Sequence, residues 1–184
     1  AIHEHGLTAV TGEPAPMARA VIAHLPTNEQ RSLKSELFGT ESDEERAEYV
    51  AAFEFILDVL SRLHDRGVML LPGTDLGGGI AYHRELELFE KIGLTPAEVL
   101  RRASYDMAVY LQQDEDLGSI EKGKYADFFL VPGDPTQDLN QLRQIRMVVS
   151  DGVVYFPTEI YPWFGIRPFS EAPEVIVPDQ ASSD

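Results

Sequence analysis

The chain has 184 residues, 43% of them hydrophobic, which suits one ordinary domain or a domain with a small module and excludes global disorder. Fifteen Lys and Arg against 31 Asp and Glu give a formal charge of −16, which argues against nucleic acid and anionic membrane surfaces as partners. There is no cysteine, so disulfides and thiolate metal sites are excluded and the compartment is unreadable from redox chemistry, with the cytoplasm favoured.

The opening AIHEHGLTAV has neither the basic region nor the long apolar core of a signal peptide. It reads as the end of one element and the start of another, as if the chain began in mid-fold, with a short strand expected over Leu7–Val10. His3-Glu4-His5 has a metal-ligand spacing for a strand, but it precedes an apolar run and reads better as the polar last turn of a helix. Prolines 14, 16 and 26 punctuate the next segment, with one short helix expected over Met17–His24 and His24 assigned no chemistry. Ser42 followed by Glu45 forms a capping-box pattern. Val50, Phe53, Leu57, Leu60 and His64 then recur at helical spacing, an amphipathic helix expected to lie on a core. His64 and Arg66 suit its last turn, and Gly67 its C-cap.

Val68–Leu71 is apolar throughout, as in a strand covered on both faces. It leads into Gly-Thr-Asp, a glycine run at 77–79 and a helix expected over His83–Ile92. A carboxylate at the end of a buried strand is costly unless something pairs with it. Asp75 is therefore either a functional residue beyond the carboxyl end of a strand or the cap of the following turn, and the pattern leaves both open. His83, eight residues later at the start of the expected helix, is a weaker candidate for chemistry and reads better as an ordinary capping or surface histidine. Thr95-Pro96-Ala97-Glu98 opens a further helix, expected to reach Leu111. The acidic run Asp114–Asp116 reads as a solvated face. From Leu117 the pattern becomes β-rich: a strand over Ala126–Val131, a turn at Gly133-Asp134-Pro135, and a hairpin around Asp151-Gly152. The acidic, proline-containing end is expected to be a mobile tail. The glycines at 77–79 are not a phosphate loop, and no serine-hydrolase elbow occurs.

Three segments in this order, LLPGTDLGG, HRELELFEKIGLTPAEVLRRASYDMAVYL and LGSIEKGKYADFFLVPGDPTQDLNQLRQIRMVVSDGVVY, resemble the C-terminal part of the amidohydrolase superfamily, in its imidazolonepropionase-like and prolidase-like branch. The resemblance is close over residues 67–156. It implies an α/β fold: residues 1–116 as the last βα units of a (β/α)8 barrel, 117–160 as part of a small β-sandwich, and 161–184 as the tail. It makes Val68–Leu71 the eighth barrel strand. Asp75 becomes a ligand of a divalent metal, zinc above all, and the proton shuttle, with His83 near the substrate. It also implies a small-molecule or peptide-like substrate and hydrolysis of an amide, peptide or cyclic-amide C–N bond. A barrel of this kind needs roughly 250 residues, and the family's other metal ligands have no match here. The chain therefore reads as an incomplete barrel whose partner is the missing N-terminal portion, another chain, or copies of itself in a homo-oligomer. The isolated chain is expected to be inactive. The competing reading is a non-catalytic folded module that self-associates.

Overall fold

The computed structural model describes Pro14 and residues 16–34, 42–75 and 79–176. The expected strand at Leu7–Val10 and the His3-Glu4-His5 group lie outside these residues. The described chain is mainly helical in its first half, and its second half carries a small antiparallel sheet.

Two short helices, α1 (Pro16–Arg19) and α2 (Thr27–Ser32), flank a 3-10 turn at Ile22–His24. The single helix expected over 17–24 is thus broken in two. The long helix α3 (Asp43–Asp65) begins as its sequence dictates: Ser42 Oγ accepts the Glu45 amide at 3.1 Å. It ends at Gly67 with φ of 76°, where the Gly67 and Val68 amides donate to the His64 and Leu63 carbonyls. Its apolar stripe is less covered than expected. Leu57 and Leu60 pack on the core, but no residue of α3 is buried, and Phe55 is 67% exposed.

Residues 68–74 form no strand, contrary to the reading of Val68–Leu71. A parallel strand takes its hydrogen bonds from neighbours on both sides. The sheet among the described residues comprises residues 128–155 alone and does not reach this segment. Val68 and Met69 are accordingly about half exposed, while Leu70 packs on the core.

Helix α4 (Gly79–Lys91) starts four residues before His83, which therefore sits in its second turn and not at its start. Helix α5 (Pro96–Ala103) has the full capping box: Thr95 Oγ1 accepts the Glu98 amide at 3.3 Å and the Glu98 carboxylate accepts the Thr95 amide at 2.8 Å. The helix expected to continue to Leu111 breaks at Ser104, whose hydroxyl donates back to the Leu100 carbonyl at 2.7 Å. Such back-bonding bends helices, and Ser104, at φ −125° and ψ −86°, separates α5 from α6 (Tyr105–Tyr110). The main core joins Leu86, Phe89 and Ile92 of this helical region to Leu94, Val99, Leu139 and Leu142.

The glycine-serine-isoleucine-glutamate motif after α6 proves to be a packed turn. Lys124 folds back over it, its ammonium donating to the Asp114 carbonyl at 2.5 Å and to Ser119 Oγ at 2.7 Å. Gly118 has φ of 87°, and a Cβ there would stand 2.7 Å from the Ala108 Cβ. Strands β1 (Phe128–Leu130), β2 (Met147–Ser150) and β3 (Val153–Tyr155) form an antiparallel sheet in that order. The hairpin has the two-residue turn that Asp151-Gly152 predicts, both residues with positive φ, and Ser150 pairs with Val153. Asp127 Oδ1 accepts the Asp151 amide at 2.8 Å, which ties the motif to the hairpin.

Beyond the sheet, α7 (Pro157–Ile160) and a 3-10 turn at Tyr161–Phe164 carry the chain back to the N-terminal region. The Arg167 amide donates to the His24 carbonyl at 2.8 Å, the Phe169 ring stacks on His24 at 4.1 Å, and Ser170 Oγ donates to the Ile145 carbonyl at 2.9 Å.

The two motif glycines separate strain from crowding. Gly123 also has positive φ, at 104°, but a Cβ there meets nothing within 4 Å. Gly123→Ala should cost about 1 kcal/mol of unfolding free energy, and Gly118→Ala about 2–4 kcal/mol because overpacking adds to the strain. Urea denaturation of the two variants measures the difference; equal losses would refute the crowding at Gly118.

Candidate functional site

Asp75 stands at the rim of an apolar cleft of about 380 Å³ between α3 and α4. Phe53, Ile56, Leu57 and Leu60 form one wall and Leu88, Phe89 and Ile92 the other. Gly73 and Thr74 bring the chain to this rim, and Asp75 itself is exposed. No described residue pairs with its carboxylate, so the capping role weighed for it finds no described partner. A carboxylate at the mouth of an apolar cleft can accept a proton from water and return it, with the apolar walls limiting solvent at the reacting bond.

A second carboxylate lines the same cleft. Glu85 was missed by sequence reasoning, although the signal existed: Leu88, Phe89 and Ile92 follow it at spacings of three, four and seven, the same face of a helix. Its charge adds to burial in holding the Tyr82 hydroxyl above the usual tyrosine range.

His83 does not join Asp75. It lines a different cavity, of about 200 Å³, together with Arg143. Burial, and then the neighbouring Arg143 guanidinium, push its imidazole down to about 4 against the opposing pull of Glu87. It is therefore neutral at physiological pH. Arg143 is nearly buried and donates through Nη2 to Glu87 Oε1, while Arg84 donates to Glu87 Oε2 at 2.6 Å. Burial alone would raise the Glu87 carboxyl, but the bonds from Arg84 and Arg143 outweigh it and hold it below the usual range.

Among the described residues, no three or more His, Cys, Asp or Glu side chains converge as a metal site would require. Catalytic zinc centres use three protein ligands, so the described residues do not by themselves fit one; Asp75 offers a single carboxylate. No helix among these residues is long and apolar enough to cross a membrane.

Residues 8–155 match the sequence family described as the amidohydrolase family. The chain belongs to the amidohydrolase family. The structure of a Xaa-Pro dipeptidase with methionine bound in its active site is similar at 25% identity and a TM-score of 0.56, over 73% of this chain and 33% of that one. A prolidase candidate from Bifidobacterium longum shares the fold at 24% identity and a TM-score of 0.56, over 93% of this chain and 36% of that one. A further crystal structure of an amidohydrolase matches at 25% identity and a TM-score of 0.53, over 70% and 31%. This amidohydrolase chain thus spans about a third of the length of the structures it matches. No protein of curated function matches it.

The depressed His83 pKa makes a stability prediction. Unfolded, the ring takes a proton near 6.5; folded, only near 4. Between these values the unfolded state binds more protons, so stability should fall as pH drops from about 6.5 to about 4, by at most about 3 kcal/mol. The carboxyl of Glu87, whose pKa is lowered, adds its own loss only below its ordinary 4.5. Urea midpoints for the wild type should fall across this range as pH drops, and those for His83→Phe should give a flatter profile. Parallel profiles would rule out a depressed His83.

Proposed function

We propose that the chain is part of a metal-dependent amidohydrolase that cleaves an amide, peptide or cyclic-amide C–N bond, with Asp75 as its proton-transferring residue. The observation that carries the reading is the position of Asp75, solvent-reachable and without a described partner, at the rim of an apolar cleft. As water oxygen attacks the carbonyl carbon, the carboxylate takes its proton. It then delivers that proton to the leaving nitrogen as the C–N bond breaks. The similarity to a Xaa-Pro dipeptidase supports a dipeptide-like substrate.

In the same reading, residues up to about 116 are the last βα units of a (β/α)8 barrel and 117–160 are part of a β-sandwich. The fraction of each related structure that the chain spans supports this. A divalent metal, zinc by family analogy, would supply an activated water when bound. Asp75 would be one ligand, and the rest would come from outside the described residues. His83 takes no part in proton transfer here, because it faces another cavity.

The competing reading, a self-associating module without catalysis, is favoured by one feature: the exposed stripe on α3, with Tyr49, Val50, Phe55, Ile56 and Val59 each at least 36% exposed. Contiguous apolar surface of this kind marks a contact face. The same stripe would also receive a missing barrel segment. The two are separated by assaying a Xaa-Pro dipeptide, in the presence of zinc, with the chain alone and with an N-terminal barrel portion co-expressed. Turnover is expected in the second case and absent in the first. A stable assembly of both portions that hydrolyses neither this dipeptide nor an amide or cyclic-amide panel would overturn the enzyme reading.

A further inference from the structure

Helix α3 carries more apolar arc than one neighbour can cover. Phe53, Leu57 and Leu60 turn toward the Asp75 cleft, where Leu57 and Leu60 pack on the core. Phe55 and Val59 are 67% and 37% exposed, and at 3.6 residues per turn they stand roughly 150° around the helix from that group. Together the apolar positions span roughly 200°, about twice the arc of an ordinary core-facing stripe. A segment completing the cleft would meet the first arc and leave the second in water. The second arc is ordered. Glu44, Glu48, Ala51, Phe55, Val59, Arg62 and Arg66 follow one another at spacings of 4, 3, 4, 4, 3 and 4, and all seven are exposed. They lie within about 80° of one another on the helix. The spacing is the same read from either end, with Phe55 at the centre, two acids on one side and two arginines on the other. The helix dipole favours acids in the first turn and cations in the last, but Glu48 lies in the second turn. Arg62 bonds Asp58 at 2.9 Å, with side chains 66% and 49% exposed. A surface pair this open is worth little and leaves Arg62 able to meet a second carboxylate.

We propose that this face binds the same face of a second copy of the chain, with the two α3 helices antiparallel about a two-fold axis at Phe55. A two-fold contact requires a self-complementary patch, in which residue i meets j and j meets i. Here Glu44 meets Arg66 of the partner subunit, Glu48 meets Arg62 of the partner subunit, Ala51 meets Val59 of the partner subunit, and the two Phe55 rings meet at the axis. Parallel helices would instead set acid against acid and arginine against arginine. Ala51 admits the approach of about 8–10 Å between helix axes. The contact is about 33 Å long but narrow, below the roughly 800 Å² per partner of a standard stable interface. Both copies also carry a charge of −16, so the dimer is a dissociable one. The proposal does not rest on the hydrolase reading, because none of the seven residues lines the Asp75 cleft.

Sedimentation of the purified chain should show a reversible monomer–dimer equilibrium with a Kd of about 10 μM. Glu48→Arg and Arg62→Glu should each weaken it by at least about tenfold, and the chain carrying both should regain the wild-type value within about threefold. Net charge alone predicts otherwise, because Glu48→Arg makes the chain less negative and would then strengthen association. The register is read by cross-linking, since the chain has no cysteine of its own. An equimolar mixture of Ala51→Cys and Val59→Cys chains should form a disulfide between them under mild oxidation. Ala51→Cys alone should not, because its two copies stand about 12 Å apart along the antiparallel helices, beyond the ~7 Å that a disulfide spans. All four positions are exposed, so the substitutions leave the fold in place. A chain that stays monomeric up to about 1 mM would overturn the proposal. So would a dimer unmoved by the single swaps, a double swap that restores nothing, or Ala51→Cys cross-linking to itself. Loss of the mixed cross-link when the N-terminal barrel portion is co-expressed would overturn it too, since that portion would then occupy the face.

Discussion

Glu87 is the point at which the two halves of the chain are joined. It lies on α4, and Arg143, which donates to it, stands 56 residues later. Both side chains are largely withdrawn from water, at 7% and 20% exposure. Removing one partner of a buried ion pair leaves the other charge unpaired, at about 3–5 kcal/mol. The link is reinforced by burial, because Arg143 ends a 3-10 turn, Leu139–Arg143, whose Leu139 and Leu142 pack into the core formed with Leu86 and Phe89. The orientation of α4 is fixed by this combination of one shared carboxylate and one apolar seam. Both cavities follow from it. One face of α4, through Glu85, Leu88 and Phe89, walls the Asp75 cleft together with Ile92 just beyond the helix, and its first turns, through Ile80 and His83, wall the other.

The division of labour along the chain is physical. The segment from Gly118 to Asp127 lies within one of the three segments that carry the family resemblance, and its side chains serve the structure. Lys124 satisfies loop carbonyls, Gly118 fits where a methyl group would not, and Asp127 holds the hairpin turn. The proposed chemistry lies elsewhere, on a carboxylate in an irregular segment whose neighbours are the packed Leu70 and the helices on either side. A reactive group held on a loop by a rigid scaffold is a common arrangement.

Local signals were legible in the sequence because each is closed within a few residues. Ser42 and Thr95 cap the helices they precede, Gly67 ends α3, and Asp151-Gly152 turns the hairpin, all through short-range backbone bonds. Non-local features were not. The apolar run at 68–71 carries the composition of a strand, but a strand exists only through its neighbours, and the described residues supply none beside it. The break at Ser104 depends on a hydroxyl choosing a carbonyl one turn back. The docking of residues 161–170 rests on the stacking of Phe169 against His24, a pairing that no periodicity announces. For the candidate site, Asp75 was singled out by its place after an apolar run, whereas Glu85 and Arg143 were overlooked. Glu85 shares the helical spacing of Leu88, Phe89 and Ile92 but stands among other charges, and Arg143 lies in a polar segment where a side chain turned inward looks like any other on the surface.

The central claim is that Asp75 moves the proton in hydrolysis, and Asp75→Asn tests it most directly in the assembly that includes the N-terminal barrel portion. Asparagine preserves size and caps a helix or turn about as well as aspartate, but it cannot take a proton from water. The account predicts a loss in kcat of about a thousandfold with the thermal unfolding midpoint unchanged. Turnover like that of the wild type, at the same stability, would contradict it.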